Sequence, residues 1–213
     1  SKDAFAFWIP NIKERQAIIE RSHLETIVQV DEIWERLKVQ YGNTLAIDSP
    51  HSYHPESFTY KELAENISKA AFSFSQLGVE PDDVVALFAE NSPRWLIADQ
   101  ALMRVGATDS VRGATAPPSE LRYIIEDSNA IGLIIQNSEV WKRLSLDDDQ
   151  INNFKFVLQL EGKACEGVFE WDNFLNIGSN TENVSNQEKI FKKKLTRIAT
   201  ILYTSGTTGK PKG

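Results

Sequence analysis

Apolar residues in this chain fall into two textures, unbroken short runs and stripes that recur every three to four positions. The runs are Val84-Val85-Ala86-Leu87-Phe88-Ala89, Ile131 to Ile135, Phe154 to Leu160 and Ile198 to Tyr203, with a shorter candidate at Leu45-Ala46-Ile47. Strands that are apolar at successive positions are buried on both faces, which is the signature of a parallel sheet. The clearest stripe is Leu63, Ile67, Ala70, Phe74 and Leu77, at spacings of four, three, four and three. It predicts an amphipathic helix.

Capping residues fall where these stripes begin and end. Thr59-Tyr60-Lys61-Glu62 reads as a capping box, in which the threonine oxygen accepts from the Glu62 amide and the glutamate reaches back. Gly78 is placed to stop that helix in the left-handed region. Ser92 and Pro93 read as N-cap and first helical position of a second helix, which carries Trp95, Leu96, Leu102 and Val105 and stops at Gly106. Pro118-Ser119-Glu120-Leu121 opens a third, through Ile124 and Ile125. The aromatic stripes in these helices read as core. Upstream, Asn11 to Gln40 reads as one or two helices, with Ile12, Ile18, Ile19, Ile27, Ile33, Trp34 and Leu37 among charges. Three stretches read as loops: His51 to Ser57, Asp147-Asp148-Asp149, and Gly178 to Lys194, where Ser, Asn, Thr and Lys dominate. Helices alternating with short apolar strands predict an α/β fold with a mainly parallel sheet covered by helices. The expected division is a helical segment over 1–44 and an α/β subdomain over 45–213.

Composition narrows the function classes. The 213 residues carry 23 Lys plus Arg against 30 Asp plus Glu, a formal net charge of −7. That balance speaks against a protein whose main task is to grip nucleic acid by its phosphates. Cys165 is the single cysteine, so no disulfide forms within the chain; this fits a reducing, cytoplasmic setting. The thiol lies in a polar stretch without a nearby histidine and reads as incidental. No apolar run approaches the ~18 residues of a membrane span. A peripheral membrane contact is left open. His51 and His54 stand three apart, but no further ligand type completes a metal set beside them.

Candidate chemistry gathers at the end of the chain. The run Ile198–Tyr203 feeds into Thr204, Ser205, Gly206, Thr207, Thr208, Gly209, Lys210, Pro211, Lys212 and Gly213. Two glycines let backbone amides approach a ligand, four hydroxyls offer hydrogen bonds and two lysines offer charge. A loop leaving the carboxyl end of a strand is where open α/β sheets bind ligands. A triphosphate suits this set. The pattern is neither the Walker A spacing nor a G-x-G-x-x-G fingerprint.

Tyr203-Thr-Ser-Gly-Thr-Thr-Gly-Lys-Pro-Lys-Gly213 resembles the phosphate-binding signature of the adenylate-forming (acyl-activating) superfamily. Phe58-Thr-Tyr-Lys-Glu-Leu63 is similar to its early T-Y-x-E-L helix start, and Asn91-Ser-Pro-Arg-Trp95 to the N-S-x-x-W start of its long-chain branch. The stretch Gly106-Ala-Thr-Asp-Ser-Val-Arg-Gly113, continued to Leu121 and followed by Tyr123-Ile-Ile-Glu-Asp-Ser128, most resembles cyanobacterial and plastid long-chain acyl–acyl-carrier-protein synthetases.

The resemblance covers roughly residues 45 to 213. It implies ATP-dependent activation of a long-chain fatty acid through an acyl-adenylate, then transfer to the thiol of acyl carrier protein or of coenzyme A. It implies ATP and Mg2+ as cofactors. It makes Thr204, Ser205, Gly206, Thr207, Thr208, Gly209, Lys210 and Lys212 the phosphate-binding residues, with Thr204 a candidate magnesium contact. Members of the family are much longer, and their adenine, ribose and acyl sites lie after this loop. The expected picture is an N-terminal piece, inactive alone, whose partners include the remainder of its own chain. A rival reading of another class is a non-catalytic nucleotide-binding or interaction module. Lys189, Lys192, Lys193, Lys194 and Arg197 form a basic run suited to an acidic carrier protein or simply to solvent.

Overall fold

The computed structural model describes residues 13, 30–51, 53–179, 198–204 and 211–213. Their sequence order is a 3-10 turn (Val30–Glu32), α1 (Ile33–Tyr41), β1 (Leu45–Ser49), β2 (Glu56–Thr59), α2 (Tyr60–Gln76), β3 (Val84–Phe88), α3 (Pro93–Val105), β4 (Thr108–Arg112), α4 (Pro118–Asp127), β5 (Gly132–Ile135), α5 (Ser138–Leu144), α6 (Asp148–Asn152), β6 (Phe156–Gln159), β7 (Phe169–Glu170), α7 (Trp171–Ser179) and β8 (Thr200–Leu202).

Six of the strands form one sheet in the order β7-β6-β5-β3-β4-β8, parallel throughout. Alternate side chains of each strand enter opposite cores. Val85 and Leu87 of β3 join Leu63, Ile67 and Phe74 of α2, Ile97 and Leu102 of α3, and Phe174 of α7. Ala86 and Phe88 join Leu121 and Ile124 of α4 with Val140 and Leu144 of α5. A sheet with helices on both faces explains why β3 and β5 carry no polar side.

The helix starts follow the predicted chemistry. Thr59 Oγ1 accepts from the Glu62 amide at 3.3 Å, and Glu62 Oε2 accepts from the Thr59 amide at 2.8 Å. The Thr59 amide bond, followed by a 2.9 Å bond that the Thr59 hydroxyl donates to Glu62 Oε2, holds the Glu62 carboxyl below its ordinary pKa. Ser92 caps α3 through the Trp95 amide, with Pro93 at its first position. Gly78 and Gly106 end α2 and α3 at φ +84° and +87°, angles that side-chain-bearing residues avoid.

Several stretches differ from the sequence reading. Glu56 and Ser57, at the end of the expected loop, belong to strand β2, paired antiparallel with β1 in a separate two-stranded sheet. Arg94 anchors that hairpin: its guanidinium donates to Glu56 at 2.9 and 2.7 Å and to the Leu160 carbonyl at 2.6 Å. It also lies over the Trp171 ring, 5.8 Å from the centroid. The acidic triplet is exposed but opens a helix instead of lying in a loop. Asp147 caps α6 in a reciprocal box with Gln150, and acidic residues in a first turn suit the helix dipole. Gly178 belongs to α7 and is buried rather than opening a linker; residues 180–197, with the basic run 189–197, lie outside the described residues.

Candidate functional site

β8 is an edge strand paired with β4 alone among the described strands, with Asp109 opposite Thr200, Ser110 opposite Ile201 and Val111 opposite Leu202. Its carboxyl end delivers Tyr203 and Thr204. Thr204 and Lys212 then exchange both backbone hydrogen bonds, at 3.1 and 3.2 Å. This two-bond bridge is the root of the loop and sets its two limbs antiparallel. Of the expected phosphate-binding residues it brings together Thr204 and Lys212, both exposed to solvent. Ser205, Gly206, Thr207, Thr208, Gly209 and Lys210 lie outside the described residues.

Beneath the root sits Tyr203, buried in the core on the α4 side. Its hydroxyl donates to Asp127 Oδ2 at 2.7 Å, while Tyr123 donates to Asp127 Oδ1 at 3.0 Å. Burial, followed by the Asp127 bond and charge, pushes the Tyr203 phenol well above its ordinary range, so it stays a donor. The antiparallel register sets Gly213 opposite Tyr203. A Cβ there would stand 2.7 Å from the tyrosine ring and 2.7 Å from Ile201, so only glycine fits without movement.

Neighbouring strand ends at the same edge of the sheet are occupied by their own bonds. Arg112 pairs with Glu120 at 2.5 Å. Arg143 donates to the Ala114 and Ala116 carbonyls at 3.1 and 2.9 Å, fixing the β4–α4 connection. The Glu90 amide donates to Gln136 Oε1 at 3.2 Å. With the arginines so engaged, the positive charge offered by the described part of the loop is Lys212.

Among the described residues no three His, Cys, Asp or Glu side chains gather in ion-binding geometry. His54 accepts from the Gly162 amide at 3.4 Å and meets the Tyr53 ring edge-on, a structural role in its loop. Cys165 is exposed. No helix among the described residues is long and apolar enough to cross a membrane.

Sequence reading missed Asp109. It lies on the α3 side of β4, 1% exposed, with neither carboxyl oxygen hydrogen-bonded. Burial, reinforced by the neighbouring Asp99, pushes its pKa up to about 8. Asp99 is itself buried and accepts from Gln100 Nε2 at 2.6 Å; Gln100 in turn accepts from Trp34 at 2.7 Å. The available signal was an aspartate at the second position of a strand between an apolar helix and an apolar neighbour.

An open parallel sheet whose edge strand ends in a glycine-, hydroxyl- and lysine-bearing loop is the fold of the N-terminal part of adenylate-forming enzymes. The structure superposes on the anthranilate CoA ligase AuaEII bound to anthranoyl-AMP with a TM-score of 0.69 at 19% identity, covering 86% of this chain and 33% of that one. It superposes on the long-chain-fatty-acid-CoA ligase FadD1 of Archaeoglobus fulgidus with a TM-score of 0.68 at 22% identity, covering 86% and 35%. At the sequence level, residues 34–213 match the family described as AMP-binding enzyme, and the chain belongs to that family. It is 32% identical over 198 residues to the chloroplastic long-chain-fatty-acid–[acyl-carrier-protein] ligase AEE15 of Arabidopsis thaliana, covering 86% of this chain and 27% of the relative. It is 27% identical over 193 residues to the long-chain-fatty-acid–CoA ligase ACSBG2 of Rattus norvegicus, covering 89% and 29%. The chain therefore spans little more than a quarter of the length of these curated relatives.

Proposed function

We propose that this chain is the phosphate-loop portion of an AMP-forming acid–thiol ligase that activates long-chain fatty acids with ATP and passes the acyl group to acyl carrier protein. The observation that supports this most is the loop root. Thr204 and Lys212 stand paired at the carboxyl end of a parallel edge strand, in a chain of the AMP-binding family. Carrier protein is favoured over coenzyme A by the higher identity to the plastid carrier-protein ligase. The similarity to a CoA ligase sustains the second reading.

In this reading the hydroxyls of Thr204, Ser205, Thr207 and Thr208 and the amides around Gly206 and Gly209 bind and orient the β- and γ-phosphates. Lys210 and Lys212 offset the charge that builds on them as leaving group. A carboxylate oxygen of the fatty acid attacks the α-phosphorus; the bond to the bridging oxygen breaks and pyrophosphate departs. The acceptor sulfur then attacks the acyl carbon, its proton is lost to solvent and AMP leaves with the carboxyl oxygen. Magnesium carried in with the nucleotide would supply positive charge against that of the pyrophosphate. In this reading Thr204 would offer that ion an oxygen. The remainder of the protein supplies the adenine, ribose and acyl sites.

The test uses the full gene product with ATP, magnesium and palmitate, and compares the phosphopantetheine form of acyl carrier protein with coenzyme A. AMP release with thioester formation on the carrier is the expected result. Thioester on coenzyme A alone selects the second reading. ADP release, or no nucleotide turnover, contradicts both.

A further inference from the structure

We propose that Asp127, acting through Tyr203, is a positioning residue for the nucleotide-phosphate loop, an inference that rests on the phosphate-binding role proposed above. Among the described residues, a short strand and the tyrosine that follows it hold the loop root. β8 contributes three residues and pairs on one side with β4. Leu202, its last residue, and Ile198, two positions before it, are 66% and 63% exposed. A short edge strand of this kind is a weak anchor. Tyr203 is the contrast, at 5% exposure one residue after the strand and one before the bridge.

Two grips meet on that tyrosine. The hydroxyl is held by Asp127 on α4, 76 positions away, through a bond of 2.7 Å to a carboxylate. Bonds of this charged kind are about twice as strong as neutral ones. The ring is met from the other limb by Gly213, so close that no side chain fits between them. Displacing Tyr203 therefore displaces both limbs of the root and changes where Thr204 and Lys212 point.

Asp127 is also in the wrong place for its own helix. It is the last residue of α4, whose last turn carries no basic residue. A carboxylate there opposes the helix dipole, which favours cations at that end. What compensates is the pair of phenol donors: Tyr203 on one oxygen and Tyr123, one turn back on α4, on the other at 3.0 Å. Tyr123 fixes the rotation of the carboxylate, and Tyr203 transmits it. The motif Tyr123-Ile-Ile-Glu-Asp-Ser128 and the first residue of the loop motif are thus two halves of one contact.

The test is made on the full gene product with Tyr203→Phe, Asp127→Asn and Tyr123→Phe, reading fatty-acid-dependent ATP–pyrophosphate exchange. Tyr203→Phe keeps the ring against Gly213 and removes only the hydroxyl. Loss of a bond to a charged group, with much of its effect felt at the root, is expected to raise the KM for ATP about tenfold. The KM for the fatty acid should stay within about twofold, which a general loss of structure would not achieve. Asp127→Asn should shift in the same direction by a smaller factor, because its amide oxygen still accepts. Tyr123→Phe should change the KM for ATP by less than Asp127→Asn. An unchanged KM for ATP in Tyr203→Phe, or equal rises for ATP and fatty acid, overturns the proposal. If the parent shows no exchange, ATP affinity is read by calorimetry. A tenfold weakening in Tyr203→Phe sustains the positioning role without the ligase reading, and equal affinity overturns it. A parent that binds no ATP removes the phosphate role and this inference with it.

Discussion

Asp109 holds a buried ionisable carboxyl beside the buried Asp99. Desolvation and a like charge both favour the neutral acid. Its folded pKa of about 8 lies far above the unfolded value near 3.8. Between those limits the folded state keeps a proton that the unfolded chain has lost. Stability therefore falls as pH rises through that window and levels off above it. Asp109→Asn has no proton to lose. Its stability relative to the parent, measured as the unfolding midpoint of the full gene product from pH 5 to pH 8, should improve steadily with pH. Parallel profiles would show that Asp109 is ionised in the fold. Residue-level chemistry with local causes was legible in the sequence: the box at Thr59 and Glu62, the cap at Ser92 and the stops at Gly78 and Gly106 all depend on neighbours within four positions. Asp109 was not, because its environment is made by residues of α3 and β8 that only the fold brings near.

At the scale of elements, α2 and α7 show where local reading ends. Serine, asparagine and glycine around 178 read as a linker, yet α7 packs on α2, and Ser73 donates to the Phe174 carbonyl at 2.7 Å. Gly178 makes that approach feasible: a Cβ there would lie 2.1 Å from the Lys69 carbonyl oxygen and 2.9 Å from Ser73 Oγ. The obstacle is backbone, which cannot swing aside. Gly178→Ala should destabilise the fold by about 1–3 kcal/mol, as forced overpacking does, with amide exchange in α7 rising more than in β3. Wild-type stability would mean that the two helices separate at no cost. The strands β3, β5 and β6 were readable because burial on both faces leaves unbroken apolar runs. β4 was not legible from the pattern, since Thr108, Asp109, Ser110 and Arg112 break any such run. β2 and β7 are too short to impose a pattern of their own.

Across the whole molecule, the parallel sheet sets Tyr203 and the loop root at one edge, held by β4 on the strand side and by α4 through Asp127. Fold class was legible from the alternation of runs and stripes. The strand order β7-β6-β5-β3-β4-β8 was not, because pairing joins residues far apart in sequence. The loop's residue types were legible, and their resemblance carried the family, which the match over residues 34–213 shows. The bond that ties its root to Asp127 was not legible, since it spans 76 positions. With little more than a quarter of the curated relatives' length in this chain, the central claim is tested on the full gene product.

The measurement is ATP–pyrophosphate exchange as a function of fatty-acid chain length, made on the parent and on Lys212→Ala. The account predicts exchange that requires a long-chain acid and falls about 10²-fold in Lys212→Ala, the scale of losing one charge-stabilising contact at a leaving group. Exchange independent of fatty acid, or a Lys212→Ala enzyme as active as the parent, would contradict it.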